Sequence, residues 1–123
     1  MTTEVGAIFW RDLTVPDAVQ VSNFYSQVVG WRAEPVDVDD YTDFNMLAPG
    51  VDQPTAGICH ARGFNADLPA QWLMYIKVAD LDQALVQCQA LGGRIVAGPK
   101  PMGETQRFAV IEDPAGAVVG LMD

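Results

Sequence analysis

Basic side chains are scarce in this sequence: 7 Lys and Arg stand against 16 Asp and Glu, giving a formal net charge of −9. That balance argues against nucleic acid as a partner, because such binding rests on neutralising phosphates, and against an anionic membrane surface. Histidine occurs once, as His60, and cysteine twice, as Cys59 and Cys88. The two cysteines lack the paired spacing of a zinc motif and are expected to be reduced and buried, behaving as small hydrophobes. Apolar runs fall short of the roughly 18 residues that a membrane-crossing helix needs. The opening MTTEVGAIFW has neither the basic flank nor the apolar stretch of a signal peptide, so a cytoplasmic location is expected. No nucleophile–base pair and no glycine-rich phosphate loop stands out.

What remains is ordinary globular material: 123 residues, 50% hydrophobic and 19% charged, enough for one domain or two small halves sharing a core. The halves declare themselves when the sequence is compared with itself at a shift of 63 residues. Val15 then meets Val78, Asp17 meets Asp80, Val28 meets Leu91, Gly30 meets Gly93, and Gly57 meets Gly120. Each copy opens on a strand with apolar residues in near alternation: Phe9, Leu13 and Val15, then Met74, Ile76 and Val78. Each strand runs into an Asp followed three residues later by Gln, which predicts a helix whose first turn is capped by Asp17 or Asp80. Apolar spacing predicts the buried stripes as Val21, Phe24, Tyr25 and Val28, then Leu81, Ala84, Leu85, Cys88 and Leu91. Glycines at 30 and 92–93 end the helices.

Three shorter strands are expected after each helix, near 31–38, 41–47 and 55–60, then 94–97, 106–112 and 117–122. Asp113-Pro114-Ala115-Gly116 is turn chemistry between the last two. Residues 97–106, with two prolines and two glycines, read as a connecting loop that can lie across the rim of a site. The expected organisation is a single α+β domain, 1–123, of two tandem βαβββ modules: about 5–61 and about 70–123, with a linker at 62–69. One helix covers only one face of each sheet, so the other face must be closed by the partner module or a ligand.

LTVPD followed by NFYSQVVGW, then YIKVADLDQAL, LGGRIV and FAVIEDPAGAVVGL, in this order and repeated, resemble the glyoxalase/bleomycin-resistance/extradiol-dioxygenase (vicinal oxygen chelate) superfamily over nearly the whole chain. The resemblance implies cup-shaped mixed sheets, with metal ligands in the metal-dependent members on the first and last strand of each module. The first-strand ligand, usually His, would lie seven residues before the capping acid, where this chain has Trp10 and Leu73. The last-strand ligand, usually Glu, would lie four residues after the glycine of the Asp-Pro turn, at Gly120, whose repeat mate is Gly57. Trp, Gly, Leu and Gly offer a divalent ion no donor, so no metal or other cofactor is expected unless ligands come from unusual positions such as Asp12 or Cys59.

Strand parity then gives a candidate lining. Trp10 brings Asp12 and Thr14 with it, Leu73 brings Tyr75 and Lys77, Gly120 is flanked by Val118 and Met122, and Gly57 by Cys59. The neighbouring His60 would face outward, as an edge histidine. The ligand-binding set is therefore Trp10, Asp12, Cys59, Leu73, Tyr75, Lys77, Val118 and Gly120, an aromatic and apolar surface with a few polar groups. Alternatively, Trp10, Leu73 and Tyr75 fill that space as solid core. Three functions stay open: metal-free binding of an aromatic or amphiphilic small molecule; lyase, isomerase or dioxygenase-type catalysis with displaced ligands or no metal; and a structural or partner-binding domain with a filled cup. A homodimer is expected, because members of this superfamily often complete their cups between chains.

Overall fold

The computed structural model describes residues 3–38 and 40–123. Eight strands and two helices follow in the order β1 (Ile8–Val15), α1 (Ala18–Val29), β2 (Arg32–Val38), β3 (Tyr41–Leu47), β4 (Ala56–His60), β5 (Trp72–Lys77), α2 (Leu81–Ala90), β6 (Arg94–Met102), β7 (Gln106–Glu112) and β8 (Val118–Met122), so the fold is α+β. A short 3-10 turn, Gly63–Asn65, lies within the expected linker. The chain divides into two compact units, Arg11–Trp72, and Leu73–Asp123 together with the N-terminal residues up to Trp10.

Local chemistry explains the helix starts. The Asp17 carboxylate accepts the Gln20 N–H at 3.0 Å and the Asp80 carboxylate accepts that of Gln83 at 3.1 Å, each satisfying a donor that a helix start leaves without an intrahelical partner. Gly30 ends α1 in the left-handed conformation, φ 80°, while α2 is capped by Leu91 with Gly92 left-handed just beyond.

In the Arg11–Trp72 unit, β3 pairs antiparallel with both β2 and β4, and β4 pairs parallel with β1. Leu13, Val15, Met46 and Ile58 pack with Ala18 of α1, and Val21, Tyr25, Trp31 and Trp72 close over them. The buried stripe of α1 differs from expectation. Ala18 and Ser22 are buried, whereas Phe24 and Val28 are 56% and 61% exposed. Small residues let the helix sit close on the sheet, and the Ser22 hydroxyl is satisfied by donating to the Val19 carbonyl at 2.9 Å.

In the other unit, β8 pairs parallel with β5 and antiparallel with β7, which pairs with β6. Leu81 and Leu85 of α2 pack on Ala109 and Leu121, with Ile76, Ile95 and Ile111 around them. Leu91, expected in the stripe, is exposed. Residues 97–102, expected in a loop, extend β6 instead. The strand accommodates Pro99 and Pro101 because its register against β7 shifts twice, between Ile95 and Ala97 and again before Lys100.

Candidate functional site

Residues directly opposite one another on paired strands share a face of the sheet. Tyr75 stands opposite Gly120 and Lys77 opposite Met122, while Ile76 and Leu121, on the other parity, turn towards α2. Leu73, Tyr75, Lys77, Val118 and Gly120 therefore share the face that α2 leaves, and Leu73 and Tyr75 on it are buried. A β-carbon built on Gly120 would fall within the ring of Tyr75, against Cδ2 and Cε2 and 2.9 Å from Cγ. Glycine at this point of β8 lets the aromatic ring lie directly on the strand, and the Phe108 ring meets Tyr75 at 6.4 Å and 63°. The space that sequence reasoning left open above Gly120 is thus filled by Tyr75. Trp10, half-buried, belongs to the same unit.

Asp12 and Cys59, the other two expected site residues, belong to the Arg11–Trp72 unit. There Asp12 and Asn45 flank Gly57 on adjacent strands, and Thr14 stands opposite Cys59. These positions alternate with Leu13, Val15 and Ile58, which pack under α1, so they form the unit's other face. Thr14 and Asp43 are buried.

Asp43 gathers this region. Its Oδ1 accepts the His60 backbone N–H at 2.8 Å and lies 3.2 Å from His60 Nδ1. The Cys59 thiol also hydrogen-bonds to the Asp43 carboxylate. Burial first, then the negative charges of Asp12 and Asp43 and that hydrogen bond, push the thiol far above the ordinary cysteine range, so Cys59 is a protonated donor rather than a nucleophile. The Tyr41 ring meets His60 edge-on at 5.7 Å, and the Arg62 guanidinium lies 4.5 Å from the Tyr41 ring centre. His60 is consequently not the outward-facing edge histidine expected from parity. Its side chain keeps only 14% of its exposure, because β3 runs past the end of its pairing with β4 and presents Asp43 to it. Sequence reasoning missed this pair: Asp43 and His60 are 17 residues apart, and only the β3–β4 register brings them together. Alternation in Tyr41, Asp43 and Asn45 was the one available signal.

The fit of a divalent ion fails on the donor set. Trp10, Gly57, Leu73 and Gly120 offer no ligand atoms, and Tyr75 occupies the space above Gly120. Among the described residues, no group of three His, Cys, Asp or Glu side chains is placed to hold a metal. Asp43 directs its lone pairs to N–H and S–H donors instead. Among those residues, too, no helix is long and apolar enough to cross a membrane.

Comparison with known proteins agrees with this architecture. The model of the Glyoxalase/Bleomycin resistance protein/Dioxygenase superfamily matches residues 7–121. CFP32 of Mycobacterium tuberculosis, whose name marks it as a candidate glyoxylase, is 25% identical over 129 residues, covering 99% of this chain and 46% of that protein. The anthracycline biosynthesis protein DnrV of Streptomyces peucetius is 29% identical over 123 residues, covering 91% of this chain and 45% of its own. The chain thus spans about half the length of the curated relatives it matches. A Streptomyces coelicolor methylmalonyl-CoA epimerase solved with 2-nitronate-propionyl-CoA superposes with a TM-score of 0.57 at 12% identity, covering 97% of each chain. That likeness concerns the fold alone. With a family model matched from residue 7 to residue 121, the chain belongs to the Glyoxalase/Bleomycin resistance protein/Dioxygenase superfamily.

Proposed function

We propose that this chain is a cytoplasmic, metal-independent member of the superfamily that binds an aromatic or amphiphilic small molecule as a homodimer. One observation carries the reading: Tyr75 lies on Gly120, so an aromatic ring stands where metal-dependent relatives would direct a ligand side chain. The half-buried Trp10 ring and the Lys77 side chain, both in the unit that holds Tyr75, suit a flat molecule with a polar edge. The net charge of −9 suits a ligand with a cationic group. The relative named for anthracycline biosynthesis points the same way, since anthracyclines are fused-ring aromatics. Self-association belongs to the same proposal. The curated relatives are about twice this length, and α1 carries no charged side chain while leaving Phe24 and Val28 more than half exposed.

Thermal unfolding with 2-hydroxyanthraquinone, with and without a chelator, tests the reading. A probe at about a hundred times its Kd stabilises by roughly 2.7 kcal/mol, a rise of roughly 10 °C for a domain of this size. The expected rise is the same in EDTA. Stabilisation that disappears in EDTA contradicts metal independence. No stabilisation by any fused-ring probe would favour a structural domain, in which buried Leu73 and Tyr75 are core.

A further inference from the structure

We infer that His60, held by Asp43, is a proton-accepting site for a ligand bearing an acidic hydroxyl, a phenol or an enol. A carboxylate only accepts hydrogen bonds, so the ring nitrogen facing it carries the proton. Nδ1 of His60 lies 3.2 Å from Asp43 Oδ1, and that oxygen also takes the His60 backbone N–H at 2.8 Å, which fixes the residue at both ends. The neutral imidazole is thereby set as the Nδ1–H tautomer, with its lone pair on Nε2. The ring meets Asp43 through Nδ1, and 14% of the side chain remains exposed to a ligand.

The surroundings select the ligand chemistry. Tyr41 from β3 supplies an aromatic wall beside the imidazole, and Arg62 stands over that ring as a cation, itself 3.4 Å from Asp40. Asp43 from β3 contacts the imidazole, and Asp12 from β1 and the Cys59 thiol belong to the same group of titratable side chains as Tyr41, Arg62 and Asp40. Cys59 stays protonated and does not compete for a proton. When a ligand hydroxyl meets Nε2, its O–H bond breaks and an N–H bond forms. The imidazolium is balanced by Asp43, and the oxyanion has the Arg62 cation in the same cluster. Nothing is oxidised or reduced, and no further reactant is required.

This inference rests on the small-molecule reading above, and the test separates the two. The absorption band of 2-hydroxyanthraquinone distinguishes phenol from phenolate, so the charge of the bound probe is read directly. At a fixed pH near the probe's own midpoint, the bound phenolate-to-phenol ratio in the natural protein is expected to be about tenfold that of free probe, one unit of proton affinity. His60→Gln is expected to bind the probe and lose that enhancement. Asp43→Asn, whose amide donates as well as accepts, is expected to lose it too. Enhancement that persists in His60→Gln overturns the inference and leaves the small-molecule reading standing; failure of the natural protein to bind any hydroxylated fused-ring probe removes both. Nitrogen NMR of the labelled, unsubstituted protein decides the tautomer without any variant. A protonated Nε2 with bare Nδ1 in the neutral ring overturns the inference.

Discussion

At Gly120 a β-carbon would enter the Tyr75 ring, so any larger side chain forces that ring to move. Gly120→Ala is expected to cost about 1–3 kcal/mol in chemical denaturation, the range for overpacking a filled interior. In a Tyr75→Leu background the same substitution should cost clearly less, since the two residues touch and their effects do not add. Equal costs in both backgrounds would remove the packing explanation. Cys59 makes a second prediction, and its sign follows from its raised proton affinity. The folded protein holds the thiol proton well beyond the unfolded value of about 8.5, so stability is intact below that pH and is lost as pH rises above it. The decline should approach about 1.4 kcal/mol per pH unit, and Cys59→Ser, which keeps a donor for Asp43 but does not titrate, should flatten it. An unchanged slope would show that another group is responsible.

Elements were legible where their signals are local. Asp17 and Asp80 each cap a helix through a residue three positions on, and both bonds form as the sequence foretells. Asp17→Ala and Asp80→Ala are each expected to cost about 1 kcal/mol, measured by urea unfolding. A loss in one helix but not the other would show that the two starts are not equivalent. The spacing of apolar residues was a poorer guide to which face is buried. Phe24 and Val28 fit a helical stripe as well as Ala18 and Ser22 do, and only closeness to the sheet decides for the smaller pair. Proline and glycine at 98–101 read as a loop, yet the chain there runs on as β6 beside β7, its register broken in two places. Asp43 and His60 were invisible for the same reason. Their contact depends on the register of two strands, which composition and spacing do not encode.

At the scale of the molecule, each of the two units places a helix on one face of its strands and leaves the other face for side chains of mixed chemistry. Those two faces differ in chemistry. One is apolar and aromatic, with Tyr75 lying on Gly120, and the other gathers Asp12, Asp43, Cys59 and His60. On the proposed reading neither face holds a divalent ion, since Trp10, Gly57, Leu73 and Gly120 have no donor side chain. Native mass spectrometry tests that conclusion most directly. The protein is equilibrated with 2-hydroxyanthraquinone and a small excess of zinc and manganese, exchanged into volatile buffer, and weighed beside its denatured form. The account predicts a dimer that gains the mass of the organic probe and retains no metal. One metal ion kept per chain, with the probe bound only alongside it, would contradict the account.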